Sequence, residues 1–346
     1  MPTSLAALVL HVAIGILPVL VFLVALVALD SYKLVTMRTV IGVVVAGLLV
    51  AIGCYFVNGY AAAATTLDFR SYSRYVGPAV EELGKALIVV ALIRAHRVGF
   101  LVDAAIAGFA VGTGFAIVEN VYYQYLVPDA SVGTWIVRGF GTAIMHGGCT
   151  AIFAMAGLAL RERARQLSYA AFLPGYAIAV ALHSAYNHAW LPPTLSTLAV
   201  ILVLPALMYA VFQRSEQSTA AWLGAGFDAD AALLESLTSG HFGDSAAGQY
   251  VATLRARFQG TVVADLLCYL RLHSELALRA KGILMMRESG FDAAIDAPTR
   301  EKLAEMRFLS QSIGATGRLA LMPLLHTGHR ELWQLRMLAS QSSAGK

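Results

Sequence analysis

The chain has 346 residues, of which 58% are hydrophobic and only 13% charged, and its mean hydropathy of +0.67 excludes an ordinary soluble enzyme. The formal net charge is only +4, with the arginines in short clusters between apolar runs, which suits orientation in a membrane and argues against nucleic acid as a partner. More than half of the Asp, Glu, Lys and Arg residues lie from Arg214 onward, so a multi-span membrane domain over 1–213 is expected to precede a water-facing tail over 214–346.

A spanning helix needs about 20 mostly apolar residues. In chain order the sequence offers seven such segments, 4–29, 39–60, 76–95, 101–126, 134–160, 169–190 and 194–213. The first has no Lys or Arg before its apolar run and reads as a span rather than a cleaved signal peptide. With the N-terminus outside, Lys33, Arg38, Arg94, Arg97, Arg161, Arg163, Arg165 and Arg214 fall on the cytoplasmic side, Arg70 and Arg74 fall outside, and Arg138 lies near a boundary. The expectation is an all-α, polytopic helix bundle of about seven spans in a bacterial cell membrane, with a C-terminal cytoplasmic helical domain.

In the tail, 261–286 and 296–313 are amphipathic, and the second opens with Pro298, Thr299 and Glu301, as helices do. The Gly, Ser and Asp-rich run 237–248 reads as a loop or hinge. His241, His273, His326 and His329 are too dispersed to form a site. Cys54, Cys149 and Cys268 are odd in number, with no C-x-x-C spacing, and read as small core residues.

Ionisable groups at bilayer depth cost a few kcal/mol each and generally face a protein interior. Four stretches contain them. In "AVEELGKALIVV" Lys85 follows Glu81 by four residues and Glu82 by three, so on a helix it can lie beside both carboxylates. Such a trio suits either a general base with a supporting partner or an ion-pair knot joining helices. In "GFAVGTGFAIVENVYYQY" Glu119 and Asn120 follow Gly108, Gly112 and Ala116, whose four-residue spacing lets a neighbouring helix approach closely; the same two polar residues could instead mark the helix end. His146 lies mid-segment in "RGFGTAIMHGGCTAIFAMAG". In "ALHSAYNHAW" His183 and Asn187 share a face, whereas His188 is turned toward Trp190 and the membrane border. At about 1.5 Å per residue, Glu81, Glu119, His146 and His183 all fall in the outer half to middle of the bilayer, where they can converge on one cavity.

"EELGK", "FAIVEN", "MHGG" and "HSAYN", in that order over 76–191, resemble the PrsW-type intramembrane proteases, which are distantly similar to the CAAX prenyl proteases. Lys85 and Glu119 depart from the CAAX pattern and favour the PrsW-type branch. The resemblance implies peptide-bond hydrolysis in or beside the membrane, on single-span proteins such as anti-sigma factors. It makes Glu81 and Glu82 the catalytic carboxylates and Lys85 their charge partner, with Glu119, His146, His183 and Asn187 as the remaining site residues. Two histidines and a carboxylate, His146, His183 and Glu82, could hold a catalytic zinc with one open position; a metal-free route, in which His146, His183 and Asn187 stabilise the oxyanion, stays open beside it. The expected partners are a single-span membrane protein substrate, the lipid bilayer and an unidentified cytoplasmic protein for the tail. A proton-coupled transporter would use the same buried groups, although no internal repeat supports it, and so would a silent scaffold.

Overall fold

The computed structural model describes residues 5–163, 169–291, 293, 295–325 and 328–343; Arg165 and His326 lie outside them. The described residues form helices and no strands, as a chain must in lipid unless it closes a barrel, because each backbone N–H and C=O has to find a partner within the protein. The chain divides into two compact units, Met1–Glu216 and Gln217–Lys346.

The first unit contains α1 (Leu5–Ala28), α2 (Met37–Ala64), the single turn α3 (Phe69–Ser71), α4 (Gly77–Arg94), α5 (Leu101–Leu126), the short α6 (Val132–Ile136), α7 (Ile144–Arg163), α8 (Leu173–His188) and most of the apolar part of α9, which runs Pro193–Thr238. Two π-helical turns, Tyr72–Val76 and Val137–Ala143, lead into α4 and α7. Among the described residues, five helices are long and apolar enough to cross a membrane, Leu5–Ala28, Met37–Ala64, Leu101–Leu126, Val132–Glu162 and Pro193–Thr238. The segments expected at 76–95 and 169–190 are helical but fall below that measure. The 18 residues of α4 include Glu81, Glu82, Lys85 and Arg94, and α8 has only 16 residues. A helix screened by its neighbours needs neither full length nor an apolar surface all round.

Burial sorts the helices into layers. In α5, 83% of the most apolar window is buried, and in Val132–Glu162 78%, against 22 to 28% for α1, α2 and α9. Val21, Phe56 and Leu202 stand exposed on those three, a surface that only lipid solvates well. Close approach at the centre follows from glycines. A Cβ on Gly108 would sit 2.8 Å from Ala151 Cα, and one on Gly112 2.6 Å from Gly147 Cα, so the four-residue spacing brings α5 against α7 as predicted. Gly114 does the same for α5 against α2, 3.0 Å from Gly47 Cα. The far end of the bundle is closed by side chains that cap the backbone: Asp103 accepts from Gly99 N at 2.7 Å and Phe100 N at 2.6 Å, and Arg161 Nη1 donates to Ile93 O at 2.8 Å.

The second unit contains α10 (Ala246–Leu254), α11 (Gly260–Glu288), α12 (Ala297–Ser312), α13 (Gly314–Leu321) and α14 (His329–Ser343). Leu266 of α11 packs with Leu254, Ile313 and Leu321. Asp296 caps α12 by accepting from Thr299 N at 3.0 Å. Cys268 is exposed, contrary to its reading as a core residue, because it falls on the polar face of α11; Cys54 and Cys149 are buried as expected. Lys281 Nζ donates to Asp230 Oδ2 at 2.6 Å, both nearly solvent-free, with the Trp222 ring 5.1 Å from the ammonium. Removing one member of a buried pair leaves the other uncompensated, so Lys281→Ala is expected to destabilise this unit by about 3 to 5 kcal/mol, read as a lowered melting transition of the full chain in detergent.

Candidate active site

Successive residues on a helix point about 100° apart, so adjacent Glu81 and Glu82 enter different surroundings. Glu82 is 2% exposed and Lys85 0%. Glu82 Oε1 accepts from Lys85 Nζ at 2.5 Å and from His183 Nδ1 of α8 at 2.8 Å. Glu81, 20% exposed, faces the opposite edge of the same imidazole, with Oε2 3.9 Å from His183 Nε2. Its Oε1 accepts from Asn58 Nδ2 of α2 at 3.2 Å, and the Tyr72 hydroxyl in turn donates to Asn58 Oδ1 at 3.0 Å.

The network continues through Lys85. Its ammonium lies 3.2 Å from His146 Nδ1 and 4.7 Å from the Phe115 ring centroid. Lysine is donor-only, so Nδ1 accepts, and the His146 proton sits on Nε2, 2.8 Å from Glu119 Oε2. Likewise His183 has its proton on Nδ1, toward the Glu82 carboxylate. The two imidazoles meet edge to face, with centroids 4.7 Å apart. Beyond Glu119, which is 25% exposed, comes Arg138 of the second π-helical turn, with Nη2 3.5 Å from Glu119 Oε2. Arg138, Glu119, His146, Lys85, Glu82, His183 and Glu81 thus form one continuous chain of polar contacts drawn from α4, α5, α7, α8 and the turn before α7.

Six of the seven residues expected from the sequence therefore converge. Asn187 does not. Its Nδ2 donates to Ser73 O at 2.9 Å, and with Ser184 Oγ donating to Arg74 O at 2.6 Å it ties the end of α8 to the π-helical turn before α4. It turns away because Asn187 is one helical turn nearer the helix end than His183, level with that turn rather than with Glu81. His188 sits against the rings of Tyr75 and Trp190, as its border position suggests. Asn58, Tyr72 and Arg138 are the residues that the sequence reading missed. A lone Asn in the apolar run "CYFVNGY" is a signal for the first; nothing linear marks Tyr72, and the place of Arg138 near a segment boundary speaks only to orientation.

The donor set that closes up is also different from the one expected. Ligand atoms of Glu81, His146 and His183 lie within 4.8 Å of one another, whereas Glu82 has its inner oxygen committed to Lys85 and His183. One carboxylate and two imidazoles suit a catalytic zinc with an open fourth position. Glu82 behind His183 Nδ1 is the usual outer partner that leaves Nε2 free to ligate. His146, neutral with its one proton on Nε2, can join through the Nδ1 lone pair once Lys85 withdraws from it, or through Nε2 if that proton moves to Nδ1. The residues present therefore fit such an ion.

The helix contact behind His146 leaves little slack. Gly112→Ala would force its new methyl against the His146 and Gly147 backbone, and overpacking of this kind costs about 1 to 3 kcal/mol. The expected result is a chain that still inserts but melts lower and loses activity, checked by thermal unfolding beside a cleavage assay.

The model of the PrsW family intramembrane metalloprotease matches residues 31–212. No curated protein and no solved structure matches the chain. The matched stretch takes in α2 to α8, every residue of the polar network and the apolar half of α9, while the whole of the second unit lies beyond it. With more than half of its length matched, and with the buried Glu and His groups gathered inside that match, the chain belongs to the PrsW family of intramembrane metalloproteases.

Proposed function

We propose that this protein is an endopeptidase that cuts a membrane-anchored protein substrate within or beside the bilayer, with Glu81 as general base. The observation that carries this reading is the contrast between two neighbouring carboxylates. Glu82 is sealed between Lys85 and His183, while Glu81 is partly open and is held in place by Asn58. A general base must reach both water and substrate, and only Glu81 of the two can do so.

In this reading Glu81 takes a proton from a water molecule as the water oxygen bonds to the scissile carbonyl carbon. The same proton passes to the amide nitrogen as the C–N bond breaks, releasing a carboxylate and an amine. His183 is fixed by Glu82, and His146 by Lys85 and Glu119, so neither imidazole has to reorganise during the reaction. On the zinc route Glu81 would serve as a ligand beside His146 and His183 rather than as the base, and the ion would polarise the carbonyl and make the attacking water more acidic.

The natural substrate is a single-span protein, of which an anti-sigma factor is the type that the resemblance to the PrsW-type proteases implies. The chain sits in the cell membrane with its N-terminus outside, and its tail from residue 214 is a cytoplasmic helical domain that meets a further partner. The test is reconstitution in liposomes with a single-span reporter. Wild-type chain should yield two fragments, and Glu81→Gln at equal protein level should yield none; undiminished cutting by that variant ends the reading. Metal analysis before and after chelation, set beside the cleavage rate, separates the zinc route from the metal-free one. A transporter or scaffold using the same groups would leave the reporter intact.

A further inference from the structure

Amide hydrolysis needs hydrogen-bond donors aimed at the oxygen on which negative charge develops. The side chains expected to supply them are already engaged. Asn187 donates to Ser73 O, His183 Nδ1 to Glu82 and His146 Nε2 to Glu119. Lys85 is fully buried between Glu82 and His146.

Arg138 is in the opposite condition. Its guanidinium is fixed from two sides without using its forked end. The plane lies over the Tyr123 ring at 3.7 Å from the centroid, and Nε donates to Asn120 Oδ1 at 2.8 Å. Asn120 is itself anchored, with Nδ2 donating to Gly15 O of α1 at 2.6 Å. Nη2 is buried, within ion-pair distance of Glu119, yet has no hydrogen-bond acceptor; Nη1 also donates to no group among the described residues. A structural arginine commits its terminal nitrogens to carbonyls or carboxylates. Here they lie beside Glu119 without a hydrogen-bond acceptor, on a π-helical turn, a feature frequent at functional sites. With Glu81 and Glu119, Arg138 is one of the three charged groups of the network that keep more than a trace of exposure, at 11%.

The geometry points to Arg138 as a further catalytic residue that donates from its two Nη groups to the carbonyl oxygen of the peptide bond under attack and stabilises the oxyanion as it forms. This rests on the hydrolytic reading of the Glu81 site. Tyr123 and Asn120 act as positioning residues that aim the guanidinium, and Glu119 sets how far it can swing. The substrate needs only its main-chain carbonyl for this contact, so the interaction favours no particular side chain.

The experiment measures kcat and KM of the full chain in liposomes on a single-span reporter for wild type, Arg138→Gln and Arg138→Lys. Arg138→Gln is expected to lower kcat by about 10²- to 10³-fold while KM stays within about threefold. Arg138→Lys keeps the charge but loses the fork, and is expected to lower kcat at least tenfold, since the two side chains are not equivalent in bidentate contacts. Millimolar methylguanidinium added to Arg138→Ala should restore part of the lost rate, which a purely structural arginine would not allow. Wild-type kcat in Arg138→Gln, or a loss confined to KM, overturns the proposal. If Arg138→Gln fails to accumulate, the Lys variant decides: reduced kcat at unchanged melting temperature supports it, and wild-type kcat overturns it. A wild-type chain that does not cut, or Glu81→Gln that cuts normally, would instead sink the hydrolytic reading itself.

Discussion

Glu81→Gln is expected to reduce peptide cleavage by at least about a thousandfold, through loss of the base that activates water, with little change in stability. The amide keeps the shape of the carboxyl, still accepts from Asn58 Nδ2 through its remaining oxygen, and sits where the side chain is 20% exposed. Melting of the variant in detergent should therefore fall close to that of wild type. Cleavage assay and melting curve together check the claim. A Glu81→Gln chain that is both inactive and unfolded would mean that Glu81 belongs to the structural knot, and that its partial exposure misleads.

Lys85→Met should behave in the opposite way. Lys85 is solvent-free and joins Glu82 to His146. Its removal strands Glu82, itself 2% exposed, as an uncompensated buried charge. Losing one partner of such a pair costs about 3 to 5 kcal/mol, enough to lower the melting transition markedly and to reduce the amount of folded protein recovered. Activity falls as well, because His146 loses the donor at its Nδ1, and Glu82, which orients His183, loses its charge partner. The double substitution of Lys85→Met with Glu82→Leu separates the two effects. Replacing a buried pair by apolar groups of similar size is often neutral or stabilising, so the double variant should regain much of the lost stability. It should not regain cleavage, since His183 Nδ1 then has no carboxylate. Recovery of activity with recovery of stability would show that the buried pair serves folding alone.

Much of this protein was legible in one dimension. Long apolar runs have to become helices in lipid, since no other open structure satisfies the backbone there. Charges inside such runs have to turn toward protein, since lipid does not solvate them. Both are local consequences of residue type, which is why the helices, the close packing at Gly108 and Gly112 and the convergence of Glu119, His146 and His183 could be anticipated. The number of full-length spans was less legible, because hydropathy cannot tell whether a short polar helix such as α4 or α8 is screened by its neighbours.

The sequence by itself determined a helical membrane bundle with acid and imidazole groups at a common depth. Tertiary structure alone decided which of them share a bond. Glu81 and Glu82 are adjacent in the chain, and their division into an open base and a sealed anchor comes from the rotation of α4 about its own axis against α8 and α2. The same holds for Asn187, which turns to Ser73, and for Arg138, which a π-helical turn brings beside Glu119. A helix's rotation is set by the neighbours it packs against, from residues far away along the chain, and those contacts exist only once the bundle has closed.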